Sequence, residues 1–358
     1  MTTLIGQSEA ELTQALSGLG APSYRGKQLA SALYRRFVRS LEDAPELPKS
    51  LRETLSAEYT VAPGTVRTTQ SAPDGTSKYL ITLPDEEVVE AVFLPYSGRT
   101  SVCISSQVGC PMACSFCATG TEGLARNLTA GEILDQVLLL QNLHPDNRIS
   151  HVVYMGMGEP LLNLPNVLKS LELLHDEVGL SYRNLTVSTV GVVPQMAKLA
   201  EADIPITLAV SLHAATDELR SELVPLNEKY PVAVLMDACK SYTDKTKRRI
   251  TFEYVLMAGV NDTDEQAHTL GKLLKKQPLC ALNTIPYNST DVAARYKRPT
   301  PEATRRFREI VGSYGVTVTQ RAEKGHRIAA ACGQLKRSTL KPGRTMRPLP
   351  MAAEKNAA

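Results

Sequence analysis

Apolar positions in the first sixty residues fall at helical spacing. Ser8-x-x-Glu11 reads as a capping box, with Leu12, Leu16 and Leu19 as the inner face of a short helix behind it. Leu29, Leu33 and Phe37, at i, i+4 and i+8, predict a second helix over residues 24–38. Pro45 and Pro48 interrupt the pattern before a third helix over 50–58. Residues 1–62 therefore read as a small helical accessory domain. The period then changes to two. Pro73-Asp74-Gly75 marks a turn, and strands over 78–83 and 88–94 predict a hairpin around Pro84-Asp85.

From residue 100 onward strands and helices alternate with short connections. Strands are expected at 100–105, 150–155, 184–189, 206–212, 249–257, 279–286 and 316–321. Helices are expected at 129–143, opened by the capping box Thr129-x-x-Glu132, and at 165–175, 231–242, 264–275 and 301–314. Such alternation argues for an α/β protein with a parallel sheet, whose ligands sit outside the carboxyl ends of the strands. Alternation alone does not separate a barrel from a doubly wound open sheet.

Composition narrows the setting. A chain of 358 residues with 43% hydrophobic content can bury a sizeable core. The start Met-Thr-Thr-Leu-Ile-Gly-Gln-Ser-Glu has neither a basic leader nor a long apolar run, so no signal peptide is expected. No uninterrupted apolar stretch reaches membrane-spanning length. Seven cysteines in a leaderless chain suggest reduced thiols and a cytoplasmic location. A net charge of +3 says little about partners, but local clusters say more. Arg25, Lys27, Arg35, Arg36 and Arg39 form one basic run without an acid, and Lys245, Lys247, Arg248 and Arg249 form another. The tail after Gly333 carries six basic residues against Glu354 alone. Each cluster taken singly reads as a solvated face. Together they would suit phosphate contacts with RNA.

Four of the seven cysteines lie between Cys103 and Cys117. Cys110, Cys114 and Cys117 have the spacing C-x3-C-x2-C. Three thiolates can hold three irons of a [4Fe–4S] cube and leave the fourth iron open for chemistry. The bland alternative is structural zinc, which more often uses two separated C-x2-C knuckles, and only one such pair is present. Glu90 is a second candidate, an acid alternating with Val88, Val92 and Leu94 on one strand face. It reads either as an inward charge guarding a sheet edge or as a general base with a pKa raised by burial. The pattern leaves both open. Gly156-Met157-Gly158-Glu159-Pro160 follows an expected strand and, on its own, signals a tight βα turn.

The cysteine spacing, with Phe116 just before the last cysteine, resembles the radical S-adenosylmethionine (SAM) superfamily. Ser105-Ser106-Gln107-Val108-Gly109-Cys110 and Ala330-Ala331-Cys332-Gly333-Gln334-Leu335 resemble the RlmN family of RNA adenine-C2 methyltransferases, across residues 24–335. The resemblance implies a partial (β/α)6 barrel over 100–335; the pattern and charge place a hairpin linker over 63–99, the helical accessory domain before it and a disordered basic tail over 336–358. It implies a [4Fe–4S] cluster on Cys110, Cys114 and Cys117, two SAM per turnover, and an external electron donor. SAM contacts are implied for Gly158, Glu159, Ser188, Ser211, Leu212, His213 and Asn288. His213 by itself reads as a packed strand-end histidine. In the family's scheme Cys332 carries the methyl group, Glu90 takes the ring proton, and Cys103 releases the RNA by forming a transient disulfide with Cys332. The implied substrates are 23S rRNA and tRNA, the implied state a monomer, and the accessory domain an RNA-engaging unit.

Two rivals stay open on sequence. A Cfr-like enzyme would methylate carbon 8 of the same class of adenine with both cysteines retained. A zinc-stabilised RNA-binding protein would have no catalysis. The chain also departs from the family pattern R-G-x-D-I at Lys324-Gly325-His326-Arg327-Ile328, where Arg327 replaces an acid. Cys239 and Cys280 read as core thiols.

Overall fold

Ser8 accepts from the Glu11 amide while the Glu11 carboxylate accepts from the Ser8 amide, so the first helix starts where its capping box dictates. The structure is a computed structural model that describes residues 2–121, 123–289, 295–321, 324–325, 328, 330 and 333–335. The N-terminal unit comprises β1 (Thr2–Thr3), α1 (Glu9–Gly18), α2 (Tyr24–Tyr34), α3 (Lys49–Glu58) and β2 (Tyr59–Thr60), with β1 and β2 paired in parallel. Helix α2 stops short of the expected residue 38. Arg36 and Val38 donate back to the carbonyls of Ser31 and Ala32, and Phe37 takes a φ of 59° that no continuing helix allows. Phe37 still packs on the core from outside the helix.

The sheet is built from β3 (Thr65–Ser71), β4 (Ser77–Thr82), β5 (Val88–Tyr96) and β6 (Arg99–Cys103), all antiparallel neighbours. A small ladder of β7 (Gln107–Cys110) and β8 (Gly123–Asn127) follows, then α4 (Ala130–Leu143). The alternating part runs β9 (Ile149–Tyr154), α5 (Leu164–Asp176), β10 (Leu185–Thr189), α6 (Val193–Glu201), β11 (Thr207–Ser211), α7 (Asp217–Leu223) and α8 (Val232–Thr246). It ends with β12 (Ile250–Leu256), α9 (Asp264–Leu274), β13 (Cys280–Pro286), α10 (Pro301–Gly312) and β14 (Thr317–Gln320). All seven strands and all five helices expected after residue 100 are present. Strand β3, the β7–β8 ladder and helices α6 and α7 were not expected. The exposed strand β3 has no apolar run to read, and α7 is only seven residues long.

The sheet order is β14-β13-β12-β11-β10-β9-β6-β5-β4-β3, parallel from β6 to β14. The parallel strands follow chain order without reversal. A doubly wound sheet must reverse at a switch point, so this sheet is singly wound and curls into a partial barrel. Leu208 and Val210 of β11, with Phe252 of β12, belong to one apolar core with Leu134, Leu171, Leu235 and Phe307 from the helices. The alternate residues, Thr186, Thr207, Thr251, Glu253, Asn283 and Thr319, line a polar lumen on the other face.

The apolar core of the helical unit is continuous with that of the barrel. Gly6 lies so close to α4 that a Cβ there would meet the Gly131 Cα at 2.6 Å. Arg39 pairs with Asp135 at 2.7 Å. Arg35 donates to the carbonyls of Asp176 and Val178, and Arg36 pairs with Glu46. Most of the basic run in this unit is thus engaged in internal contacts, as is Arg248 with the carbonyls of Pro205 and Ile206. Among the described residues no helix is long and apolar enough to cross a membrane.

Candidate active site

The cysteine loop is pinched at its neck by the β7–β8 ladder. Gly109 has a φ of 79°, and a Cβ there would fall 2.0 Å from the Gly123 carbonyl oxygen, so only glycine lets the two strands close. Inside the loop Cys117 donates to the Cys114 carbonyl and Gly120 to the Cys117 carbonyl. The Ser115 amide donates to the Leu223 carbonyl at 3.0 Å, which ties the loop to the end of α7. Cys110 and Cys114 are buried and Cys117 is half-buried. Burial pushes the Cys110 and Cys114 thiols up, and the neighbouring Cys117 adds to this. Thiolates in such a place need bound cations to offset them.

Cys110, Cys114 and Cys117 lie on one loop and line one cleft, and three such thiols fit the three protein-held irons of a cube, with the fourth iron left open.

The inward residues at the strand ends meet the loop in one cleft. Cys110, Cys114, Cys117, Gly158, Glu159, Ser188, Ser211 and His213 all line it. Period two puts them there: Ser188 follows Thr186, and Ser211 follows Ala209 and Thr207, on the lumen side of their strands.

Gly156 and Gly158 answer first to packing. A Cβ on Gly156 would meet the Ile104 carbonyl oxygen at 2.6 Å, and one on Gly158, at φ 108°, the Gln107 amide nitrogen at 2.8 Å. Glu159 shapes the turn: its carboxylate accepts from the amides of Leu161 at 3.0 Å and Val190 at 2.9 Å. Burial nonetheless pushes its pKa up to about 7. His213 is both packed and ligand-facing. Its ring meets Phe116 edge-on at 4.7 Å, and its Nδ1 accepts from the Val255 amide at 3.1 Å, which leaves the proton on Nε2. Burial holds it neutral, with a pKa lowered to about 3.

Leu212 does not present its side chain to the cleft; it is fully buried in the barrel core. Asn288 follows the cleft-lining Tyr287, and its buried Oδ1 has no hydrogen-bond partner among the described residues. An orphaned acceptor beside an open cleft fits a ligand contact.

Glu90 is fully buried, with the Lys78 ammonium 3.2 Å from its Oε1. Strand β5 is paired on both sides, which removes the edge-guarding reading of this acid. Lys78 and Cys103 both lie opposite Val92, two residues along from Glu90, so all four residues share one face of the sheet. Cys103 also lies opposite Val153, which lines the lumen, and that face is therefore the inward one.

Cys332, His326, Arg327 and residues 336–358 lie outside the described residues. Gly333, Gln334 and Leu335, which follow Cys332, are described. Gly333 lines the cleft, its carbonyl accepts from the Ala118 amide at 2.9 Å, and the Leu335 carbonyl accepts from Thr119 at 2.6 Å. Lys324 lies 3.8 Å from Asp74 and over the Tyr96 ring.

The sequence reading missed Arg220, a fully buried arginine on α7 that bonds the strand-end carbonyls of Val190, Ser211 and Leu212. A lone arginine in an acidic helix, Asp-Glu-Leu-Arg-Ser-Glu-Leu, carries no signal that it points inward.

Comparison with known proteins agrees with this geometry. Residues 104–270 match the radical SAM superfamily. The chain is 46% identical to the "Probable dual-specificity RNA methyltransferase RlmN" of Thermosynechococcus vestitus, over 94% of this chain and 99% of that protein. It is likewise 46% identical to the protein of the same name from Rhodopirellula baltica, over 94% and 91%. The crystal structure of a radical SAM methyltransferase from Sphaerobacter thermophilus superposes with a TM-score of 0.90 at 42% identity, covering 94% of this chain and 99% of that one.

Proposed function

The chain belongs to the RlmN family of radical SAM RNA methyltransferases, an enzyme family implying a [4Fe–4S] cluster, SAM and an RNA substrate, and from that premise we propose that it methylates carbon 2 of an adenine in 23S rRNA and in tRNA. The target chemistry explains the site. Carbon 2 lies between two ring nitrogens and is too electron-poor to attack the methyl of SAM, whereas a carbon radical can add there. When bound, the cluster and SAM supply one methyl group and one 5′-deoxyadenosyl radical, so two SAM are used per turnover.

The chain's own residues do the rest. Cys110, Cys114 and Cys117 hold the cluster. Ser188, Ser211, His213, Asn288 and the Gly158-Glu159 turn orient SAM, and Leu212 contributes backbone only. Cys332 carries the methyl group as a thioether, loses a hydrogen from it and joins the adenine ring. Glu90 takes the ring proton as the adduct gives up its one unpaired electron, for which a bound, oxidised cluster would be the acceptor. Cys103 then attacks Cys332, which frees the methylated RNA and leaves a disulfide for an external reductant to open. The helical unit at the N-terminus engages RNA, and the enzyme acts as a monomer.

One observation carries this reading: the residue next to Cys332 lines the same cleft as the three cysteines and is bonded to their loop. The test is anaerobic reconstitution with iron, sulfide, SAM and rRNA or tRNA fragments, followed by nucleoside analysis. A new methyl on adenine carbon 2 is expected; one on carbon 8, or none, refutes the assignment.

A further inference from the structure

Arg220 carries a buried charge with no ion pair among the described residues. The side chain is 1% exposed. Its Nε donates to the Leu212 carbonyl at 3.2 Å, one terminal nitrogen to Asn227 Oδ1 at 3.0 Å, and the other to the Val190 and Ser211 carbonyls at 2.7 and 3.3 Å. Every acceptor is a neutral oxygen. Among the described residues no carboxylate lies within ion-pair distance of it; Asp217 favours its charge from further away while Oδ1 accepts from Asn227 and the Val232 amide. Neutral acceptors satisfy the guanidinium's donors but leave its charge to be offset.

The surroundings show where an anion would sit. Helix α7 ends against the cysteine loop through Ser115 and Leu223, and Leu223 and Val224 share an apolar cluster with Cys114 and Phe116. Arg220 lies one helical turn before Val224, and Val190 and Ser211, whose carbonyls it grips, line the cleft together with Cys110, Cys114 and Cys117. The carbonyls that Arg220 grips lie at or just past the ends of β10 and β11: Val190, two residues beyond Ser188, and Ser211 with Leu212. The Val190 peptide is held from both sides, its amide by Glu159 and its carbonyl by Arg220.

We propose that Arg220 is a positioning residue of this centre: its fork fixes the SAM-facing ends of β10 and β11, and its charge is balanced by the thiolate-held cluster. This rests on the cluster reading above. A cube on three thiolates is net negative and becomes more so on reduction, so a buried cation beside it favours the reduced state.

The test compares the full-length protein with Arg220→Gln and Arg220→Lys after anaerobic reconstitution. Iron and sulfide content, the midpoint potential from a redox titration followed by electron paramagnetic resonance, and SAM affinity are measured on each. Arg220→Gln is expected to hold its cluster at a more negative midpoint. Arg220→Lys, which keeps the charge and loses the fork, is expected to stay near the original midpoint while SAM binds roughly tenfold more weakly. A cluster-loaded Arg220→Gln with an unshifted midpoint overturns the charge role. Should that variant not fold, Arg220→Lys decides alone: unchanged SAM affinity, or a midpoint moved despite the retained charge, overturns the proposal. Unmodified protein that takes up no iron and sulfide overturns the reading beneath it instead.

Discussion

Lys78 reaches across β4 and β5 to put its ammonium 3.2 Å from the Glu90 carboxylate, sealed in the sheet's inner face. The pair is diagonal: Lys78 lies opposite Val92 and Glu90 opposite Leu80. Desolvation cancels much of the attraction in such a pair, but removing one member strands the other. Lys78→Met is therefore expected to cost about 3–5 kcal/mol. Lys78→Met/Glu90→Gln should recover a large part of that. Urea denaturation of both single variants and the double gives the coupling energy, and purely additive losses would contradict a mutual interaction.

Loss of one cluster ligand should be visible without any assay of turnover. Cys110→Ala, purified anaerobically, is expected to be nearly colourless with little bound iron. Cys239→Ala is the control. That thiol is buried on α8 within the barrel core, so its replacement should cost only about 1 kcal/mol and leave iron content unchanged.

For Cys103→Ala the expected result is an enzyme that stalls after joining its substrate. A covalent protein–RNA species should build up and be seen as a slow band on denaturing gels. Normal multiple turnover by this variant would remove Cys103 from the releasing step.

His213 makes stability depend on pH. Its folded pKa of about 3 lies below the unfolded value of 6.5, so between them the unfolded chain binds more protons. Stability present above pH 6.5 is therefore lost as the pH falls toward 3, by roughly 5 kcal/mol at most. His213→Asn suits the left-handed φ of 60° and removes the titrating ring. Urea melts at neutral pH and near pH 5 should show a shallower loss in the variant; equal slopes would refute the assignment.

Gly158→Ala adds a methyl 2.8 Å from the Gln107 backbone nitrogen at a φ of 108°. Backbone cannot yield as a side-chain tip can, so a loss of at least about 2 kcal/mol is expected. Gly312→Ala, in open space near the end of α10, should change stability by about 1 kcal/mol or less. Thermal unfolding of the two variants side by side checks the contrast.

Much of this protein is written in local patterns. The capping boxes at Ser8 and Thr129, the period-two strands and the β/α alternation each depend on residues a few positions apart, and each was legible. So was the C-x3-C-x2-C loop, because ligand spacing is a local constraint. The serines at the ends of β10 and β11 came from the family resemblance, and the alternation along their strands explains why they face the cleft.

Tertiary structure decided what depends on distant partners. Alternation alone did not separate a singly wound barrel from a doubly wound sheet; the strand order did, in line with the resemblance. Only the pairing of β5 on both sides showed that Glu90 guards no edge. Arg35 meets the Val178 carbonyl 143 residues away, and a basic run that read as a surface for phosphate proved largely occupied. Arg220 and Leu212 show the same limit. Composition and periodicity state whether a side chain is polar, but burial and hydrogen-bond partners are set by chain segments that no local window contains.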